Sequence, residues 1–152
     1  TLTIAGDGPN RQKLEKLSAK LGLSSKVTFL GKVSEEEKIK LYQEAWVFVN
    51  PSLLEGWGIT TIEANACGTP VIASNVAGLK DAVVDGVSGI LVPYGNVQAL
   101  TLTLATLLTN QKLRSKLSLG ATKLAQNYDW NNSAKQALSY LTGKLSWKLP
   151  TT

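Results

Sequence analysis

Trp46-Val47-Phe48-Val49-Asn50-Pro51-Ser52-Leu53-Leu54-Glu55-Gly56-Trp57-Gly58-Ile59-Thr60-Thr61-Ile62-Glu63 decides how this chain is read. The apolar run Trp46–Val49 stops at Asn50-Pro51-Ser52, as a strand entering a loop does. The loop then carries one carboxylate and two glycines, and a pattern of helical period follows. A second carboxylate, Glu63, stands eight positions after Glu55. Glycine lets the backbone approach a ligand closely because it has no Cβ. A helix start presents unpaired N–H groups and the positive end of the macrodipole, which suits phosphate. Carboxylates accept hydrogen bonds from hydroxyls such as those of a ribose or a sugar. The combination predicts a site for a sugar joined to a diphosphate.

Outward from this stretch, apolar runs recur at Leu2–Ala5, Val27–Leu30, Val71–Ala73 and Ile90–Val92. They are short and apolar on both faces, as buried strands of a parallel sheet are. Segments of helical period lie between them: Leu14, Leu17 and Leu21 on one face, Ile39, Leu41, Tyr42 and Ala45 on a second, Ile59, Ile62 and Ala66 on a third. Repeated βαβ units predict a doubly wound α/β sheet. Ser34 followed by Glu37 reads as a capping box, with Glu35 and Glu36 in the first turn. Gly22 and Gly68 fall at expected helix ends. After Pro93 only helices are expected. One carries Val97, Leu100, Leu104, Leu107 and Leu108, and another Leu113, Leu117, Ala121 and Leu124. A last helix runs from Asp129 or Trp130 to about Leu141.

Composition narrows the function. The 152 residues fit one domain, are 43% hydrophobic and 18% charged, and carry a net charge of +5. The basic residues Lys112, Arg114, Lys116, Lys123, Lys135, Lys144 and Lys148 gather toward the end, whereas Lys80 is the only one between Ala45 and Gln111. The site is therefore poor in cations, and the basic face reads first as a solvated helix surface. The aromatic residues among them, Tyr128, Trp130, Tyr140 and Trp147, do not form a regular series of stacking platforms for nucleic acid, so no nucleic-acid partner is expected. A membrane-surface role has only this weak charge signal, and no apolar run of about 18 residues suggests a span. There is no histidine, which argues against zinc and against a Ser-His-Asp triad. The one cysteine, Cys67, reads as a small buried hydrophobe. No signal-peptide pattern opens the sequence, which begins at Thr1 and has no methionine, so a piece of a longer protein is expected.

Rival readings of single motifs are weaker. Gly6-Asp7-Gly8 invites a dinucleotide site, but Arg11 stands where the third glycine of G-x-G-x-x-G belongs, and a tight turn into a helix begun by Pro9 accounts for much of it. Glu55 and Glu63 as acid and base of a hydrolase are disfavoured. One lies in the loop and the other more than a turn inside the helix, so they face different parts of one ligand. Glu63 as a merely solvated helix residue stays open. Trp57 either covers the pocket or, preferably, packs on the sheet edge. Lys80 reads as a surface lysine, and Trp130 as a packed anchor at a helix start.

Gly6-Asp7-Gly8-Pro9, Val27-Thr28-Phe29-Leu30-Gly31, Pro51-Ser52, Glu55-Gly56-Trp57-Gly58, Glu63-Ala64, Gly68-Thr69-Pro70-Val71-Ile72-Ala73 and Gly86-Val87-Ser88-Gly89 occur in an order and spacing that a known family shares. The chain resembles the C-terminal domain of GT-B retaining glycosyltransferases with the E-x7-E motif, the family 4-like "glycosyl transferases group 1". The likeness runs from Thr1 to about Leu141. It implies a Rossmann-like three-layer α/β/α domain with a parallel sheet and C-terminal helices, a single nucleotide-sugar-binding domain over 1–152 that forms half of a GT-B fold. It implies a UDP-, GDP- or ADP-hexose donor as substrate, no separate cofactor and no metal. Glu63 would bind ribose hydroxyls, and Glu55, the catalytic position, hydroxyls of the transferred sugar. Gly56, Trp57, Gly58, Ile59 and Thr60 would hold sugar and diphosphate through backbone N–H groups. Gly6 and Val33 would lie on the nucleobase side. The acceptor, a sugar, lipid or other small molecule, would be bound by an N-terminal domain, and the location would be cytoplasmic, either free or peripheral to the inner membrane face. Two departures stand out. The family's diphosphate-clamping Arg and Lys precede the position of Thr1, so the isolated chain is expected to be inactive as a transferase. Asp81 stands where many relatives have Glu. A noncatalytic nucleotide or sugar-phosphate module is the alternative, and an NAD-type oxidoreductase domain the more distant one.

Overall fold

The computed structural model describes residues 1–143, which fall into two compact units, Thr1–Glu44 and Ala45 onward. In the first, β1 (Leu2–Ala5), α1 (Arg11–Lys20), β2 (Val27–Gly31) and α2 (Glu35–Glu44) alternate. β1 and β2 pair in parallel from Leu2 opposite Val27 to Ala5 opposite Gly31, with a register shift after Ile4. The capping box forms: Glu37 accepts from the Ser34 N–H at 2.9 Å, and the Ser34 hydroxyl accepts from the Glu37 N–H at 3.2 Å. The Ser34 N–H, and then the Ser34 hydroxyl donating to the same carboxylate oxygen at 3.2 Å, hold the Glu37 carboxyl below its ordinary pKa, because they favour the charged form. Helix α1 starts at Arg11, after the cap position Asn10, and not at Pro9. Its leucines Leu14, Leu17 and Leu21 are exposed and only Ser18 is buried, because two strands offer too little surface to cover a helix face.

The second unit runs β3 (Phe48–Asn50), α3 (Ile59–Ala66), β4 (Val71–Ser74), α4 (Leu79–Ala82), β5 (Gly89–Val92), α5 (Val97–Thr109), α6 (Gln111–Ala125) and α7 (Trp130–Leu141). Its sheet is parallel with order β3-β4-β5. The α/β class with parallel strands holds, the strands being divided between two sheets. Central β4 is buried at all four positions. Ile72 and Val92 pack with Leu107 of α5 and Leu117 of α6, joined by Val47, Ile90, Leu100, Leu104 and Leu113. Removing a fully buried leucine such as Leu107 would cost about 2–5 kcal/mol. Asn96 and Asn110 cap α5 and α6 by accepting from Ala99 and Leu113 N–H groups, each at 2.9 Å.

Three expectations change here. The third strand starts at Phe48, and Trp46 lies outside it, 61% exposed, with the Arg114 guanidinium 4.3 Å from its ring centroid. Arg114 also donates to the Leu108 carbonyl at 3.0 Å, near the end of α5, so a cation–π contact and a helix-end bond replace ladder pairing. Helix α3 buries Thr61, Ala64 and Asn65, while Ile59 and Ala66 of the expected apolar face are exposed. Trp130 is 89% exposed rather than packed, and α7 has no buried residue.

Candidate functional site

The loop between β3 and α3 is built from both ends. Asn50, buried at the end of β3, accepts from the Ser52 N–H at 3.3 Å through Oδ1. Its Nδ2 donates to the Thr61 hydroxyl at 3.3 Å, which fastens the strand end to the first turn of α3. The Ser52 hydroxyl donates to Glu55 Oε1 at 3.0 Å, so the half-buried carboxylate has a fixed direction. Gly58 is the cap of α3 with φ +64°, and a Cβ there would stand 2.9 Å from Leu79 Cδ2. Gly78 lies so close to the Glu55 carbonyl that a side chain would clash with it. The loop is thus backed by α4 and accepts only glycine at these two points.

What faces outward is chemically useful. Gly56, Trp57, Ile59 and Thr60 are exposed. Among the described residues the N–H groups of Ile59 and Thr60 donate to no backbone carbonyl, as at the opening of a helix, whereas Thr61 and Ile62 donate to the Gly58 carbonyl. Glu63 is half-buried one turn beyond Ile59, on the same side of α3, about 6 Å along the axis. In sequence, Glu55 in the loop and Glu63 in α3 thus stand on either side of the N–H groups of Ile59 and Thr60. Gly6 and Val33 belong to the first unit. There Gly6, φ +130°, donates to the Gly31 carbonyl at 2.7 Å, and Val33 is half-buried just beyond β2. In that unit Arg11 binds Glu15 at 2.8 Å and donates to the Phe29 carbonyl at 3.2 Å, and it fills the space over Gly31. Its guanidinium occupies ground that a third glycine would leave open to a dinucleotide.

Other residues are not equipped for chemistry. The Cys67 thiol is pushed above its ordinary pKa by burial and then by the charge of Glu63, so it stays protonated at neutral pH. Lys80 is exposed. Among the described residues no group of three Cys, Asp or Glu could hold a metal ion. Cavities of about 240 and 250 Å³ lie elsewhere, one beside Trp46, Pro70 and Arg114, the other at the carboxyl ends of the strands beside Pro51, Ser74, Pro93 and Tyr94. Neither contains Glu55 or Glu63.

Residues 1–124 match the family model of glycosyl transferases group 1. The chain belongs to that family. This group 1 glycosyl transferase chain is 41% identical over 133 residues to D-inositol 3-phosphate glycosyltransferase of Corynebacterium urealyticum, covering 87% of the chain and 31% of that relative. It thus spans about a third of that relative's length. Among solved structures it is similar to sucrose-phosphate synthase from Thermosynechococcus elongatus, with TM-score 0.84, 31% identity, and coverage of 95% of this chain and 39% of that one. It is also similar to Anabaena HepE in complex with UDP-glucose, with TM-score 0.84, 26% identity, and coverage of 94% and 41%. These neighbours are GT-B glycosyltransferases with Rossmann-like domains, which agrees with the expected fold class. Among the described residues no helix is long and apolar enough to cross a membrane.

Sequence reasoning missed Asn50, Ser52, Thr61, Gly78 and Tyr128 as parts of this site. Asn50 and Ser52 flank a proline at a strand end, a position that turns often fill with such residues. Their link to Glu55 depends on the fold. Tyr128 gave no local signal, yet its ring meets Trp57 edge-on, with centroids 5.1 Å apart and planes at 88°. The expected packing of Trp57 on the sheet edge gives way to this contact.

Proposed function

We propose that this chain binds a nucleotide-diphosphate-sugar donor for retaining transfer of a hexose to an acceptor. The observation that carries the reading is the loop and helix start after β3. It holds Glu55 by Ser52, exposes N–H groups at Ile59 and Thr60, and places Glu63 one turn deeper. The likeness to a neighbour solved with UDP-glucose supports the same ligand class here. Glu63 binds the ribose hydroxyls, and Glu55 orients hydroxyls of the hexose. The N–H groups from Gly56 to Thr60 hold the sugar and stabilise the leaving diphosphate as its C–O bond breaks. The donor is a substrate; no resident cofactor or metal is assigned.

Residues 1–152 act as one donor-binding domain, and the acceptor is taken by other parts of a longer polypeptide in the cytoplasm. Transfer therefore needs more than this chain, and turnover by the 152 residues alone would contradict that division. The test is a thermal-shift titration with UDP, GDP, ADP and NAD. One nucleoside diphosphate raises the midpoint, because a ligand that binds the folded state stabilises it. Glu63→Ala weakens that binding about tenfold, as loss of charge-assisted bonds predicts. Stabilisation by NAD alone would overturn the proposal.

A further inference from the structure

The glycine loop has one side chain able to anchor it. Gly56 and Gly58 flank Trp57, and glycine leaves a backbone freer than any other residue. Trp57 is 48% exposed, and its ring packs on that of Tyr128, 71 positions later in sequence. Tyr128 is itself held at two other points. Its N–H donates to the Ala125 carbonyl at 3.0 Å, in the turn that ends α6. Its hydroxyl donates to the Asp81 carbonyl at 3.1 Å, in α4. Asp129, the next residue, caps α7 by accepting from the Asn131 N–H at 3.2 Å. Tyr128 is thus a strut between three elements and the loop, its far end fixed by backbone bonds and its near end set against one aromatic ring.

We propose that Tyr128 is a positioning residue for donor binding, holding the Gly56–Gly58 backbone in place through the Trp57 ring. This rests on the donor-binding reading above. Donor groups must be held to within about half an ångström to bind a ligand well, and two glycines cannot do this unaided. The edge-to-face contact directs the positive ring edge at a π face, so it favours one placement of Trp57. The hydroxyl bond to Asp81 steadies the tyrosine, but the loop feels only the ring. Ring and hydroxyl are therefore separable by substitution.

The test uses the 152-residue chain with Trp46, Trp130 and Trp147 changed to Phe, so that Trp57 alone fluoresces. Tyr128→Phe, Tyr128→Leu and Tyr128→Ala are compared by calorimetric titration with UDP, GDP and ADP, and by acrylamide quenching of Trp57. Far-UV circular dichroism selects the variants that fold, and the leucine variant keeps the volume where alanine does not fold. The proposal expects Tyr128→Phe to bind within about twofold of the parent, with quenching unchanged. Tyr128→Leu and Tyr128→Ala expose Trp57 to quencher and weaken nucleotide binding about tenfold. Adding Trp57→Ala to either brings no further loss, because both act through one contact. Parent-like binding in a folded Tyr128→Leu or Tyr128→Ala chain overturns the proposal, and so does equal loss in Tyr128→Phe. No binding of any of the three nucleotides by the parent overturns the donor reading itself, and this inference with it.

Discussion

At the residue scale the site depends on which way one carboxylate points. Glu55 could swing freely in a loop between glycine and leucine, but the Ser52 hydroxyl at 3.0 Å gives it a direction. Ser52 is in turn tied by its N–H to Asn50, which is fastened to Thr61. A neutral donor to a charged acceptor contributes about 1.5–3 kcal/mol, and half-exposure of this pair puts it at the lower end. Ser52→Ala should therefore weaken binding of a nucleotide-sugar about fivefold to tenfold while leaving the nucleoside diphosphate alone unchanged. Paired titrations with UDP-glucose and UDP check this, and equal loss for both would place Glu55 away from the sugar. Glu55, Gly56, Trp57, Gly58 and Glu63 were legible in the sequence because each is a residue type with local chemical meaning at a strand-to-helix turn. Ser52 and Tyr128 were not, since what matters in them is a partner that only folding supplies.

The elements show where pattern succeeds and where it misleads. Capping and glycine signals act over three or four residues, and they placed α2 and the ends of α1 and α3 well: Gly22 and Gly68 both have positive φ, at +69° and +81°. The apolar period failed for α3. Its inner face is Thr61, Ala64 and Asn65, because Thr61 bonds Asn50 and the Asn65 amide donates to the Ala82 carbonyl at 3.4 Å. Small and polar residues there let α3 pack on α6 and α4, while Ile59 is left at the mouth of the site, 63% exposed. A period-only reading cannot see that a buried threonine is satisfied. Two predictions follow at this scale. Gly78→Ala would set a Cβ against the Glu55 carbonyl at a φ of +81°, so stability should fall by about 1–3 kcal/mol in denaturant unfolding, with loss of donor binding. An unchanged midpoint would mean that α4 does not back the loop. For α2, the Glu37 carboxyl has a depressed pKa in the folded state. Its contribution is present above the ordinary carboxylate range and disappears as pH falls through the folded value. Glu37→Gln should lower the thermal midpoint at neutral pH, and the gap to the parent should close in acid. A gap independent of pH would contradict the capping box as its origin.

Over the whole chain, two units each carry parallel strands with glycine turns at carboxyl ends. The α/β class could be read from apolar runs and crossover lengths alone. The division of strands between two sheets could not, because pairing partners are set by backbone geometry rather than by the composition of any run. Within the second unit, a chain of polar bonds joins the end of β3 to α3, whereas two cavities are lined by other residues. The proposed function thus rests on the donors and carboxylates of one loop rather than on a cavity. The most direct measurement of that assignment is an amide NMR titration of the isotope-labelled chain with UDP-glucose, in parallel with Glu63→Ala. The largest shift changes are expected at Gly56, Trp57, Gly58, Ile59, Thr60 and Glu63, and they are lost in the variant. Saturable changes confined to Tyr94–Val97, with the Gly56–Glu63 amides unmoved, would contradict it.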